Sequence, residues 1–161
     1  MAKLVIFLAL CLLPALAAAR PGLPARTFFT VQGRVYCDTC RCGFETPYTK
    51  YMQGAKVRVE CKDRDSMKLL YTADGVTDKD GTYKILVADD HQDQICESVL
   101  VSSPHSECAT IETGRERARV FLTNNNGIAS ATRYANNLGF MKDAPVAGCS
   151  ELLRQYQEYE D

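Results

Sequence analysis

The chain has 161 residues, 19 basic against 20 acidic side chains, eight cysteines and no tryptophan. A length of this order suits one domain with a modest core. A formal charge of −1 with no uninterrupted basic stripe excludes an ordinary nucleic-acid binder.

Lys3 is followed by an apolar run, Leu4 to Leu13, and then by Pro14-Ala-Leu-Ala-Ala-Ala19. A basic start, a short apolar stretch and a small-residue end form a secretory signal peptide, with cleavage expected between Ala19 and Arg20. The domains are therefore 1–19, a signal peptide, and 20–161, a single mature domain. The run is shorter than the roughly 20 residues that cross a bilayer. No other run is long and apolar enough, so the mature chain is expected to be secreted into the extracellular space without membrane insertion. Cleavage removes Lys3 and Cys11 and leaves seven cysteines, in a compartment where disulfides are the default.

Period-2 alternation then dominates. Val31, Gly33, Val35 and Cys37 alternate with Gln32, Arg34 and Tyr36. Val57, Val59 and Cys61 alternate with Lys56, Arg58, Glu60 and Lys62, and Tyr83, Ile85 and Val87 form a third set. Each predicts a strand with one face on a core and one in water. Lys68–Thr72, Glu97–Val101 and Arg117–Leu122 carry the same pattern more weakly. Arg115, Arg117 and Arg119, interrupted by Glu112 and Glu116, read as a solvated strand face. Asp78-Lys79-Asp80-Gly81 predicts a hairpin turn before the third strand. Asn124 to Gly148 reads as a long irregular arm. Ser150 to Tyr159 predicts a helix capped by Ser150, with Leu152, Leu153 and Tyr156 on one apolar side. The fold class is all-β: an antiparallel sandwich or barrel with a short C-terminal helix, stapled by disulfides.

The chemistry-bearing residues are few. Cys37-Asp-Thr-Cys40-Arg-Cys42 ends a strand rather than opening a helix, which argues against a redox pair. No histidine stands at zinc spacing from a cysteine pair. Asp78 and Asp80 resemble part of a calcium loop, but Val76 and Val87 occupy positions where that loop needs ligands. No cofactor or metal is expected. Seven cysteines leave one odd, and Cys42 is the best spare: two residues beyond Cys40 in an extended chain, it points to the same face. Arg41 beside it is expected to favour the thiolate. His91 and His105 sit in polar, turn-like contexts and are expected to be solvated. They furnish the rival reading, a small secreted hydrolase or ribonuclease. A protease inhibitor would use Tyr48–Gln53 or Asn124–Ile128 as its exposed loop. A wall-polysaccharide binder would use Tyr48 and Tyr51 in an aromatic row.

Gln32-Gly-Arg-Val-Tyr-Cys-Asp-Thr-Cys-Arg41 resembles the signature of the olive pollen major allergen family, the pollen-specific secreted proteins. Gly54-Ala-Lys-Val-Arg-Val-Glu-Cys61, Gly75-Val-Thr-Asp78, Gly81-Thr-Tyr83, Leu138-Gly-Phe140 and Lys142-Asp-Ala-Pro145 continue the resemblance to Cys149. It implies the pairs Cys37–Cys108, Cys40–Cys149 and Cys61–Cys96. Cys42 stands where the family usually has a small residue, which leaves a free thiol or a Cys42-linked dimer. The sequon for an N-glycan, common in the family, is absent. The resemblance implies no catalytic residues. It implies an extracellular role in pollen hydration, germination or tube growth, through a cell-surface receptor or a cell-wall component, and the capacity to act as an allergen.

Overall fold

In the computed structural model, which describes residues 27–158, the longest strand is β1 (Phe28–Asp38). The remaining strands are β2 (Lys50–Tyr51), β3 (Lys56–Asp63), β4 (Leu69–Val76), β5 (Thr82–Ala88), β6 (Gln94–Ser102), β7 (Thr110–Ile111), β8 (Arg117–Val120), β9 (Thr132–Tyr134) and β10 (Leu138–Met141). A helix, α1 (Cys149–Glu158), closes the described chain. The proposed leader and cleavage site, and Tyr159 at the predicted helix end, lie outside the described residues.

The strands form two sheets. One runs β4-β3-β6-β8, antiparallel throughout. The other is organised by β1, which is long enough to use different partners along its length. Its first half pairs with β5 and β9, and its second half with β2 and β10, with β7 beyond. The pairings to β9 and β10 are parallel. Alternation within one strand carries no information on the direction of its neighbour.

The three strongest alternation sets all face the core. Val31, Val57, Val59, Cys61, Tyr83 and Val87 are each 0% exposed. Tyr36, assigned by its pattern to the wet face, is buried as well. Its ring packs over Gly139, where an added Cβ would sit 2.6 Å from a ring carbon. The weaker sets fall on β4, β6 and β8, with Lys68, Phe121 and Leu122 just outside the strands, and Arg117 and Arg119 are exposed as expected.

Three expectations need correction. The arm from Asn124 to Gly148 contains β9 and β10, and Leu138 and Phe140 of β10 are fully buried. Both strands are too short to alternate, and β10 is covered on both faces, so polarity gives no period. The helix begins at Cys149, one residue early, so Ser150 lies in its first turn. The Asp78–Gly81 turn forms, with the Gly81 N–H donating to the Asp78 carbonyl (3.0 Å) and Gly81 at φ 72°. It joins β4 of one sheet to β5 of the other, so it is a corner rather than a hairpin.

That corner is sensitive to acid. The Thr82 N–H donates to the Asp78 carboxylate and holds it below the usual carboxylate range, with the Asp80 N–H adding to the effect. A depressed folded value means stability that is present above the unfolded value, about 3.9, and lost as pH falls through the folded one. Asp78→Asn is expected to flatten the acid limb of a stability-versus-pH curve below about pH 4. An unchanged limb, measured by urea unfolding at stepped pH, would remove Asp78 from the account.

Candidate functional site

Three bridges tie the sandwich together. Cys37 at the end of β1 joins Cys108, Cys40 joins Cys149 at the start of α1, and Cys61 joins Cys96 across β3 and β6. The first two converge where β1 ends. There Asp38 is 3% exposed, and its carboxylate accepts from the N–H groups of Cys40 (3.2 Å) and Gly43 (2.7 Å). The chain turns within this loop, with Arg41 at φ 57°. The extended geometry that put Cys42 on the same face as Cys40 is therefore absent.

Cys42 carries the free thiol among the described residues and is half-buried. Its sulfur approaches the Phe44 carbonyl (3.4 Å) and Asp38 Oδ1 (3.6 Å). Burial pushes the thiol up, and the Asp38 carboxylate adds to that; hydrogen bonding with the Phe44 backbone pulls the other way. Arg41 does not turn toward it, because the guanidinium donates to the carbonyls of Lys142 and Asp143. The expected activation by Arg41 is thus reversed. Thiol titration of the folded, unreduced monomer is expected to find one group that alkylates more slowly at neutral pH than a free cysteine. Cys42→Ser is expected to leave stability within about 0.5 kcal/mol. A second titrating thiol, or fast alkylation, would contradict this geometry.

A cleft of about 580 Å³ opens beside Cys42, lined by Tyr36, Asp38, Arg41, Glu112 and Arg115 among others. Its arginines are already employed: Arg115 donates to the Gly43 carbonyl and Arg41 to the loop before α1. A second cleft, about 360 Å³, holds His105 with Lys50, Tyr51, Glu107 and Lys142. Glu107 and Lys142 pair at 2.9 Å.

The two histidines do not meet. His91 lies just before β6 and His105 just after it, and a nine-residue strand spans roughly 30 Å. His91 is also buried rather than solvated. Its Nδ1 lies 3.1 Å from Gln94 Oε1, its Nε2 lies 3.0 Å from the Ala88 carbonyl, and its ring packs on Tyr71 at 4.8 Å. The Cys61 and Cys96 sulfurs are close by, with ligand atoms within 4.8 Å of one another. Those sulfurs are bonded to each other, so they are not the thiolates a metal needs. Asp78, the candidate calcium ligand, spends its Oδ1 on the N–H groups of Asp80 and Thr82.

Tyr48 and Tyr51 do not make an open aromatic row. The Arg34 guanidinium covers the Tyr51 ring at 3.2 Å, and the Tyr51 hydroxyl donates to Glu45 at 2.7 Å. Tyr48–Gln53 is no protruding loop either, since β2 lies inside it and pairs with β1. Asn124–Ile128 is exposed and tied at its base, where the Asn124 N–H and the Thr123 hydroxyl donate to Asp90.

The family of pollen proteins described as Ole e 1 like matches residues 27–157, nearly the whole described chain. The chain belongs to this family. Among its Ole e 1-like relatives, the pollen-specific protein C13 of Zea mays is 48% identical over 97% of this chain and 91% of its own. The protein DOWNSTREAM OF FLC of Arabidopsis thaliana is 47% identical over 95% and 90%. The crystal structure of the major plantain pollen allergen Pla l 1 superposes with a TM-score of 0.70 at 34% identity, over 76% of this chain and all of that one. The Ole e 1-like sandwich and its bridges account for the residues that the sequence signature singles out. Gly33 and Gly139 are spacers for buried tyrosines, and the cysteines of the first motif are half-cystines.

Proposed function

We propose that this chain is a secreted, non-catalytic extracellular factor of pollen, acting as a ligand for a cell-surface receptor or a cell-wall component in hydration, germination or tube growth. The observation that carries the reading is membership of the Ole e 1-like family over residues 27–157, with relatives named for pollen and anther. The separation of the two histidines along β6 supports a role without catalysis, because acid–base chemistry needs both groups at one substrate. A domain closed by three bridges suits an extracellular compartment, and the same resistance to unfolding suits an allergen. The plantain relative carries that name.

The experiment is loss of the transcript in pollen, scored for hydration and tube length, with rescue by added mature protein. Rescue by wild type and by His105→Ala alike is the expected result. Rescue by wild type but not by His105→Ala, together with hydrolysis of RNA or peptide, would favour an enzyme. Normal pollen after loss of the transcript would remove the proposed role.

A further inference from the structure

The two sheets meet along an open seam between β8 and β9, and its chemistry is one-sided. The Leu100 N–H donates to the Glu116 carbonyl (2.9 Å), and Ser98 pairs with Ala118, so even-numbered residues of β8 turn their main-chain groups toward β6. The odd-numbered residues turn theirs to the seam. Just beyond the two ends of β8 the edge is occupied: the Arg115 carbonyl accepts from the Gly139 N–H (3.0 Å), and the Phe121 carbonyl from Arg133 Nε (3.1 Å). Arg117 and Arg119 lie between them, and among the described residues no backbone group bonds to their outer main-chain edge. On the opposite bank, Ala131 and Ala135 bond to β1, which turns the main-chain groups of Thr132 and Tyr134 to the same seam, where the Thr132 N–H is held by the Ser130 hydroxyl (3.1 Å).

A cleft of about 290 Å³ occupies this seam. Phe121, Ile128 and Tyr134 line it at 61%, 46% and 75% exposure. Among the described residues, two arginines and no carboxylate line it. Arg133 is 2% exposed; it donates to the carbonyls of Phe121, Thr123 and Ile128 and lies over the Phe29 ring, and its Nη1 has no hydrogen-bond partner. The Arg119 guanidinium carbon lies 5.8 Å from the Phe121 ring centroid, while Glu97 opposite Arg119 is taken by Arg117 at 2.8 Å. Two positive charges thus meet one apolar cleft with no carboxylate of the described residues lining it, the lower of them in a low-dielectric floor where its field is least screened.

We propose that this seam docks an extended acidic segment of a partner protein. The segment adds to the free edge of β8, sets a carboxylate against Arg119 above the buried Arg133, and rests apolar side chains on Phe121 and Tyr134. A second copy of this chain does not suit the edge, because pairing β8 with β8 sets arginine against arginine. The inference rests on the ligand reading above and names the surface that the ligand uses.

The probe is a short blocked peptide alternating Glu and Val, titrated into ¹⁵N-labelled mature protein with its bridges closed. Saturable shifts are expected at Arg119, Phe121, Ile128 and Tyr134, with exchange protection gained at the Arg117 and Arg119 amides. The Gln-for-Glu peptide, and Arg119→Glu tested with the Glu peptide, are each expected to bind about tenfold more weakly. Arg119 is exposed, so that variant should keep its melting temperature. No saturable shift, equal binding of the Gln peptide, or shifts confined to another face would overturn the proposal. An oligogalacturonide that shifts the same residues without protecting those amides would overturn it too, marking a polyanion site. If pollen-tube membranes retain wild type and Arg119→Glu equally, the seam falls while the ligand reading stands.

Discussion

Replacing Cys61 and Cys96 by serine together is expected to cost about 4 kcal/mol, the chain-entropy value for a loop of this size, whose ends are 35 residues apart. The bridge joins directly opposed residues at the centre of the β4-β3-β6-β8 sheet, and both are at most 2% exposed. Its loss also leaves two buried hydroxyls beside His91, where sulfur met apolar neighbours, and desolvated polar groups add to the cost. For a domain of this size the melting temperature should fall by more than about 10 °C. Cys61→Ser alone should fall as far and leave Cys96 titratable after unfolding. A double variant melting within about 2 °C of wild type would mean that the β3–β6 ladder holds this sheet without its bridge.

The second large effect is expected at Gly33. A Cβ there would sit 2.3 Å from the Tyr83 hydroxyl oxygen and 2.6 Å from the ring carbon that carries it. Tyr83 is 0% exposed and cannot swing aside. Gly33→Ala should therefore cost about 3 kcal/mol, the upper range for overpacking a core. Burial already pushes the Tyr83 hydroxyl up to about 12, against the pull of the neighbouring Ser98 hydroxyl. Neither of those two oxygens makes a well-formed hydrogen bond. Tyr83→Phe should accordingly be nearly neutral. Combined with Gly33→Ala it should recover part of the loss, because the oxygen is gone while the ring carbon stays. Urea unfolding of the two single variants and the double variant measures this. Full additivity would mean that Gly33 and Tyr83 do not press on each other.

Legibility in the sequence followed burial on one face. β1, β3 and β5 alternate because each has a dry side and a wet side, so Val31, Val59 and Ile85 are read inward correctly. β10 is buried on both sides and β9 spans three residues, so Leu138-Gly-Phe140 looks irregular although it lines the core. The parallel pairing of β1 with both is invisible for a different reason, being set by partners distant in the chain. The site region was legible in its residue types but not in its geometry. Cys42 was singled out by parity, yet the chain turns there, and Asp38 rather than Arg41 stands beside the sulfur. The buried state of His91 depends on the carbonyl of Ala88 and the side chain of Gln94, which no pattern around Asp89-Asp-His-Gln-Asp93 announces. Arg133 gave no signal at all. An isolated arginine in an apparent loop carries no sign that it will be buried against three carbonyls.

The central claim is that this Ole e 1-like chain acts by binding at the pollen surface. It is tested most directly by retention of labelled mature protein, folded with its bridges closed, on growing pollen tubes. Saturable retention that unlabelled protein displaces and His105→Ala leaves unchanged, with no hydrolysis of RNA or peptide, is the predicted result. No retention, together with a hydrolytic activity that His105→Ala abolishes, would contradict it.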